Sequence, residues 1–334
     1  MQRPPAQSVT PVRPCPLGCP EKGTALGALP VTMPLALSQA HFTLTRCGCG
    51  TLLYLSPAPT GSDLHAMYVD EHQFGDEYTE PERVRRILRY MSDALDRIAT
   101  LRAWTTDRPL RILEIGAGLA WMCRAAKARN PQSNTVAQDV SPEAAQRCAW
   151  VDVYVQGELS DPRIDSHAPF DVISMTHVIE HLVDPVAMLR RCRTLLGGNG
   201  VLFVTAPFRP QGWRDDAPDL ALWRAYSYNH VPAHVQYFSE ASMRRLTDTV
   251  GLQLVHWSHA HDAGQAFEAW IAKEVAAPTR RLLARLRSNQ YVSMCRRLFA
   301  SNCGFNASQS SPRSRQTSRN AATTPSSIPF KPQM

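Results

Sequence analysis

The chain has 334 residues, 44% apolar and 19% charged, a globular composition that suits one large domain with extensions or two modest ones. Its net charge of +7 is uneven, since residues 273–334 carry +10 and residues 1–272 therefore sum to −3. No apolar run reaches the roughly 18–20 residues of a membrane span, and Pro30 and Pro34 break the apolar stretch 25–40, which argues against a secretory leader. Nine scattered cysteines do not frame an oxidised scaffold, so the expected compartment is the cytoplasm. The basic end permits contact with nucleic acid or anionic lipid. A solvated, unstructured tail explains it more simply, and nucleic acid is not an expected partner.

In chain order, residues 1–60 hold ten of the 26 prolines and two cysteine pairs, Cys15/Cys19 and Cys47/Cys49. Residues 61–109 read as a helical linker. Val84, Ile87, Leu88, Met91, Leu95 and Ile98 recur at helical spacing from Pro81 to about Trp104, with Thr79 and Glu82 in a capping-box pattern. From 110 to 272 the texture alternates. Strands are predicted at Arg111–Ile115, Thr135–Asp139, Val151–Val155, Asp171–Thr176 and Val201–Ala206, with helix starts at Ser141-Pro142 and Asp184-Pro185. A helix near Ser239–Val250 and a strand at Leu252–Trp257 close the domain. Regular strand–helix succession implies right-handed crossovers and a doubly wound parallel α/β sheet. Residues 273–304 form a basic, helix-like extension, and 305–334 are too polar to fold.

The chemistry concentrates in a few segments. Ile112-Leu113-Glu114-Ile115-Gly116-Ala117-Gly118-Leu119-Ala120 runs from an apolar strand through a Gly-x-Gly turn into a helix near Trp121. Glycine allows the sharp turn and a close ligand approach, and the helix start offers amide donors. The dinucleotide fingerprint Gly-x-Gly-x-x-Gly fails, because its third glycine would fall at Trp121. Asp139 ends the next strand, 25 residues after Glu114, where a carboxylate can accept from both hydroxyls of a ribose. Gly157-Glu158 follows the third strand. Phe170–Pro185 carries Asp171-Val172-Ile173, Glu180-His181 and Asp184-Pro185, and Leu195–Pro207 brings a glycine hairpin into the fifth strand.

In that order these segments resemble the class I S-adenosylmethionine-dependent methyltransferases, in particular their small-molecule branch. His234-Val235-Gln236-Tyr237-Phe238-Ser239 extends the likeness, which covers about residues 80–258. The resemblance implies a Rossmann-like, seven-stranded sheet with one antiparallel strand, and S-adenosylmethionine as cofactor. Gly116, Ala117 and Gly118 would then pass beneath its methionine part, with Glu114 near the amino end and His177 beside the crevice. Asp139 would hold the ribose, Val140 would pack on adenine, and Glu158 would accept from the adenine amine. Ala120 stands where the family usually has a third glycine, which is tolerated if its φ is negative.

His177-x-x-Glu180-His181 resembles the Glu-x-x-Glu-His that binds a divalent ion in ubiquinone-type O-methyltransferases, with His in first place. The alternative is that Glu180 and His181 merely shape their loop, and this reading is preferred. The same letters spell an inverted zinc-peptidase pattern, which requires a long helix rather than a strand exit. His234, with His230 in reserve, is the candidate base for an acceptor proton. Trp213, Trp223, Tyr226 and Tyr228 suit an acceptor lid or, equally, stacking within a structural loop. The cysteines and Arg46-Cys47-Gly48-Cys49-Gly50 resemble a degenerate zinc ribbon, in which Cys15, Cys19, Cys47 and Cys49 would hold structural zinc. The reading is a methyltransferase acting on a small-molecule acceptor. A macromolecular acceptor and a non-catalytic cofactor-binding module are the alternatives, and the intact Glu114, Gly116, Gly118 and Asp139 weigh against the last.

Overall fold

Apolar residues in short runs, each ending in Gly, Asp or a capping side chain, dictate strands that stop where helices begin, and the computed structural model is built on that alternation. It describes residues 12–33, 37–38, 41–70, 80–142, 144–259 and 266–273. The strands are β1 (Thr24–Pro30), β2 (His41–Arg46), β3 (Leu53–Ser56), β4 (Arg111–Ile115), β5 (Asn134–Asp139), β6 (Val153–Gln156), β7 (Phe170–Thr176), β8 (Leu196–Pro207), β9 (Gln236–Tyr237), β10 (Gln253–His259) and β11 (Ala266–Ala272). The helices are α1 (Gly61–His65), α2 (Pro81–Arg102), α3 (Trp121–Arg129), α4 (Pro162–Asp165), α5 (Pro185–Leu195), α6 (Leu220–Arg224) and α7 (Glu240–Thr249). Among the described residues no helix is long and apolar enough to cross a membrane.

Seven strands form one sheet in the order β10-β11-β8-β7-β4-β5-β6. The pairs from β8 through β6 are parallel, and β11 runs antiparallel to both its neighbours. This is the seven-stranded sheet with one antiparallel strand that the resemblance implies. The order reverses at β4, so the loops leaving β4 and β7 diverge and open a crevice at their carboxyl ends. Strand β11 had no separate sequence signal. Both its faces are covered, so its seven residues are all buried and show no alternation. Its Glu268 is held by the Tyr90 hydroxyl at 2.7 Å, the Arg97 guanidinium at 3.0 Å and the Trp270 indole N–H at 2.8 Å.

Several local expectations change. Helix α2 is capped by Glu80, whose carboxylate accepts from the amides of Glu82 and Arg83, rather than by a Thr79/Glu82 box; Thr79 lies outside the described residues. Asp184 caps α5 as expected, accepting from the Ala187 amide at 2.9 Å. Ser141-Pro142 starts only a single 3-10 turn at Ala145–Arg147, because the Ser141 amide is drawn back to Asp139 and its hydroxyl caps nothing. The glycine segment 197–200 is a bulge within β8, where the register against β7 jumps from Phe170↔Leu196 to Val172↔Val201. The predicted extension and tail, 273–304 and 305–334, lie outside the described residues beyond Lys273.

The N-terminal segment is not a free-standing ribbon. Strands β1, β2 and β3 form an antiparallel sheet whose fourth strand is β9, contributed from residues 236–237. Leu29, Phe42, Leu44, Leu53 and Leu55 pack with Trp223, Tyr226, Val231 and Tyr237 in one core. Trp223 is fully buried, edge-on to Tyr237 at 4.7 Å and to Trp213 at 4.9 Å. These indoles are therefore the core of the small sheet, and of the four aromatics read as a lid only Tyr228 reaches toward the crevice.

Ala120 departs from the condition set for it, with φ +51° and ψ +53° at the cap of α3. A left-handed L-residue costs roughly 1–2 kcal/mol, against about 0.5–1 kcal/mol of extra chain entropy lost on ordering a glycine. Ala120→Gly is expected to stabilise the fold by up to about 1 kcal/mol, read from the urea midpoint. A destabilised variant would show that the methyl's packing outweighs the backbone strain.

Candidate active site

The crevice is assembled from backbone polarity. Gly116 has φ +57°, and a Cβ there would stand 2.4 Å from Cγ2 of Val178, so the β4 and β7 loops touch only because this residue has no side chain. The Ala117 amide donates to the Gln138 carbonyl at 2.9 Å. The Gly118 amide donates to Asp139 Oδ2 at 2.7 Å, and the Ser141 amide donates to Oδ1 at 2.8 Å. Each Asp139 oxygen thus accepts one bond and keeps capacity for another, as the two hydroxyls of a ribose require.

Beside Asp139, Val140 is 37% exposed, one of two large apolar side chains so exposed among the described residues. An exposed valine at a strand exit is a surface on which a flat ring can lie. Glu158 follows β6 and is exposed. Glu114 has a structural task at the base of the crevice. Its oxygens accept from the amides of Met122 (3.2 Å) and Cys123 (2.9 Å), so it anchors the start of α3. Burial pushes its pKa up to about 7, partly offset by those two bonds.

The second half of the site lies beyond β7. His177 leaves that strand with φ +55°, and its amide donates to the Thr205 carbonyl. Its ring lies nearly parallel to that of Tyr228 at 6.1 Å, and its Nδ1 is 3.3 Å from Glu180 Oε1. The rings then pass inward: Tyr228 to His230 at 6.4 Å, His230 to His234 at 4.8 Å, and His234 to His181 at 4.8 Å. Three imidazoles, those of His177, His181 and His234, therefore reach Glu180, which is fully buried, with His177 Nδ1 at ion-pair distance from its Oε1.

His234 is 3% exposed, and its Nδ1 is 2.9 Å from the Tyr228 carbonyl, which can only accept. Nδ1 therefore carries the proton and Nε2 the lone pair. Burial, then the neighbouring His181 and His230, hold its pKa well below the usual imidazole value, so the ring is neutral at pH 7. Burial lowers His230 in the same direction. Tyr68, which carried no motif, sets its hydroxyl 2.6 Å from His181 Nδ1. Its only signal is distance in space, since 113 residues separate the pair.

The four N-terminal cysteines also meet. The Cys47 sulfur is 3.2 Å from that of Cys15 and 3.1 Å from that of Cys49, and the sulfurs of Cys19, Cys47 and Cys49 lie within 4.8 Å of one another. Tetrahedral zinc with 2.3 Å bonds separates its sulfurs by about 3.8 Å, so the cluster is of the right size. Burial raises the Cys47 pKa. Cys49 also feels burial, but hydrogen bonds from Thr51 and Cys47 bring it down to about 7.

With this geometry in place, the sequence profile of the methyltransferase domain family matches residues 83–257, and the chain belongs to that family. It is an S-adenosylmethionine-dependent methyltransferase. The ubiquinone biosynthesis O-methyltransferase of Aeromonas salmonicida (strain A449) is 22% identical over 187 residues, 52% of this chain and 77% of that enzyme. The enzyme of the same name from Xanthomonas campestris pv. campestris (strain B100) is 27% identical over 103 residues, 28% of this chain and 42% of that enzyme. Two solved structures are similar in fold. The mitomycin 7-O-methyltransferase MmcR is 18% identical with a TM-score of 0.40, over 60% of each chain. The plantazolicin methyltransferase BpumL, in complex with a triazolic desmethylPZN analog and SAH, is 14% identical with a TM-score of 0.42, over 59% of this chain and 92% of that one.

Asp139→Ala is expected to weaken S-adenosylmethionine binding by about 1–3 kcal/mol, the range for charged hydrogen bonds. Calorimetry on a folded variant checks it. Unchanged affinity would remove Asp139 from the cofactor site.

Proposed function

We propose that the enzyme methylates a small-molecule acceptor seated between the cofactor crevice and the histidine cluster, with His234 accepting the acceptor's proton. The observation that carries this is the neutral His234 ring, held through Nδ1 by the Tyr228 carbonyl and packed against the rings of His181 and His230. The cluster is continuous with the crevice. Val178 lies against Gly116, and His177 joins Tyr228, His230 and His234 in a chain of rings. Methyl transfer requires an acceptor lone pair in line with the sulfonium, about 3 Å from the methyl, and holding that geometry supplies much of the acceleration. The protein's remaining task is to hold the acceptor and remove its proton as the bond forms. In this reading Gly116, Gly118, Asp139, Val140 and Glu158 bind the cofactor, His177 lines the approach, and Glu114 holds the turn from below.

His234→Ala is expected to lower turnover at least tenfold, about 1.4 kcal/mol of barrier, with S-adenosylmethionine affinity unchanged. A fully active variant would end the assignment and pass it to His230.

We further propose that Cys15, Cys19, Cys47 and Cys49 hold one structural zinc. Thiols kept for a metal need a reducing compartment, which the cytoplasm supplies. Metal analysis should give about one equivalent per chain, released by Cys47→Ser with loss of stability. Metal-free protein of undiminished stability would show four ordinary thiols.

A further inference from the structure

Local preference does not hold the turn between β4 and α3. Gly116, Gly118 and Ala120 take φ of +57°, +48° and +51°, three left-handed residues within five positions. Glycine visits that region as readily as any other, and at Ala120 it is strained, so the shape of the turn must come from its surroundings. On the crevice side, Asp139 accepts from the Gly118 amide at 2.7 Å. The carbonyls of the turn are met by one other segment, residues 148–154. Tyr154 on β6 donates its hydroxyl to the Gly118 carbonyl at 2.8 Å, and the Cys148 thiol reaches the same oxygen at 3.6 Å. The Trp150 indole N–H donates to the Ala120 carbonyl at 3.2 Å. That indole is itself fixed, stacked on Trp121 at 6.3 Å with the Arg124 guanidinium 4.5 Å from its ring centre. Burial, and after it the Asp139 carboxylate, push the Tyr154 phenol far above its ordinary range, and burial pushes Cys148 up to about 11, so both remain donors at neutral pH.

We propose that Tyr154, seconded by Trp150, is a positioning residue for S-adenosylmethionine. By holding the carbonyls of Gly118 and Ala120, the pair keeps the Gly118 amide on Asp139 and so keeps that carboxylate aimed at the ribose. The proposal rests on the reading of Gly118 and Asp139 as cofactor-binding residues. Gly118 is gripped at both ends, its amide by Asp139 and its carbonyl by Tyr154, which fixes the two peptide planes that meet at its α-carbon. Tyr154 can bear that load because its strand is paired to β5, with Tyr154 opposite Ala137, and its ring packs on the same core as Ala117, Leu119 and Ala120. Without the hydroxyl the Gly118 peptide regains its freedom, and the cofactor must order the turn as it binds, at the expense of affinity.

The test is calorimetric titration of the full-length enzyme with S-adenosylmethionine, together with amide hydrogen exchange of residues 115–120. Tyr154→Phe removes one hydroxyl and keeps the ring. Its dissociation constant should rise about fivefold or more at unchanged stoichiometry, and Trp150→Phe should follow with a smaller rise. A merely destabilised protein would show the reverse, because partial unfolding lowers the fraction that binds and leaves the affinity of the rest intact. Exchange in the turn should be faster than wild type in the free Tyr154→Phe protein and equal to it at saturation. Tyr90→Phe, which loses a comparable bond to Glu268 on β11, should leave the affinity unchanged. Asp139→Ala and Tyr154→Phe together should weaken binding little more than Asp139→Ala alone, since both act through the Gly118 amide. Wild-type affinity in Tyr154→Phe would overturn the proposal, as would full additivity with a weakened Asp139→Ala. Normal binding by Asp139→Ala beside weak binding by Tyr154→Phe would end the cofactor reading of Asp139, while the dependence of the turn on Tyr154 stands.

Discussion

Gln236 is a buried side chain whose amide nitrogen donates to two carbonyls, those of Ile179 and Leu182. With the Val235 amide on the Glu180 carbonyl, and the Leu55 amide on the Val235 carbonyl, it ties three distant parts of the chain at one point. The loop after β7, the segment carrying His230 and His234, and the N-terminal sheet are joined there by hydrogen bonds. Each of these bonds satisfies a backbone group that would otherwise be buried unpaired, at a cost of about 1–3 kcal/mol. The placement of the histidines follows from this knot more than from any contact among the rings themselves.

The crevice rests on a similar economy of backbone groups. Glu114 holds the first amides of α3, and Asp139 holds those of Gly118 and Ser141. Two carboxylates, both buried, thereby fix the turn between β4 and α3. The positive φ of Gly116 and the absence of a Cβ there let Val178 close on the turn. That contact links the cofactor half of the site to the loop bearing His177 and Glu180. Under the proposed function, an acceptor at the histidine cluster would be held against the same loops that form the crevice, which is the alignment that methyl transfer needs.

The N-terminal segment acquires its role through sharing. Its proline-rich stretch has little apolar material of its own, yet Leu29, Phe42, Leu44, Leu53 and Leu55 complete a core with Trp223, Tyr226, Val231 and Tyr237. The four-cysteine cluster lies at one end of this sheet, where Tyr54 also donates its hydroxyl to the Arg13 carbonyl at 3.1 Å. A metal held there would brace the sheet that supplies the partner strand for Gln236 and Tyr237. The cysteine cluster and the histidine cluster are thus connected through a strand two residues long.

What the sequence determined by itself is whatever depends on neighbours along the chain. The parallel strands, the Gly116–Gly118 turn, Asp139 at a strand end and Asp184 as a helix cap all arise from short-range periodicity and backbone chemistry, and the order of those signals was enough to mark the family. Strand β11 escaped because burial on both faces removes the alternation by which strands are read. That Glu114 anchors the first amides of α3 was not legible, because its direction depends on where α3 begins to turn. The left-handed backbone of Ala120 is likewise a product of packing, since an isolated alanine prefers the opposite sign of φ. Only the tertiary structure decided that His177, Glu180 and His181 meet His230, His234 and Tyr68, because no local rule relates side chains separated by 53 or 113 residues. The physical reason is that long-range contacts are selected by the burial and hydrogen-bond needs of the whole sheet, and those needs exist only once the strands have assembled.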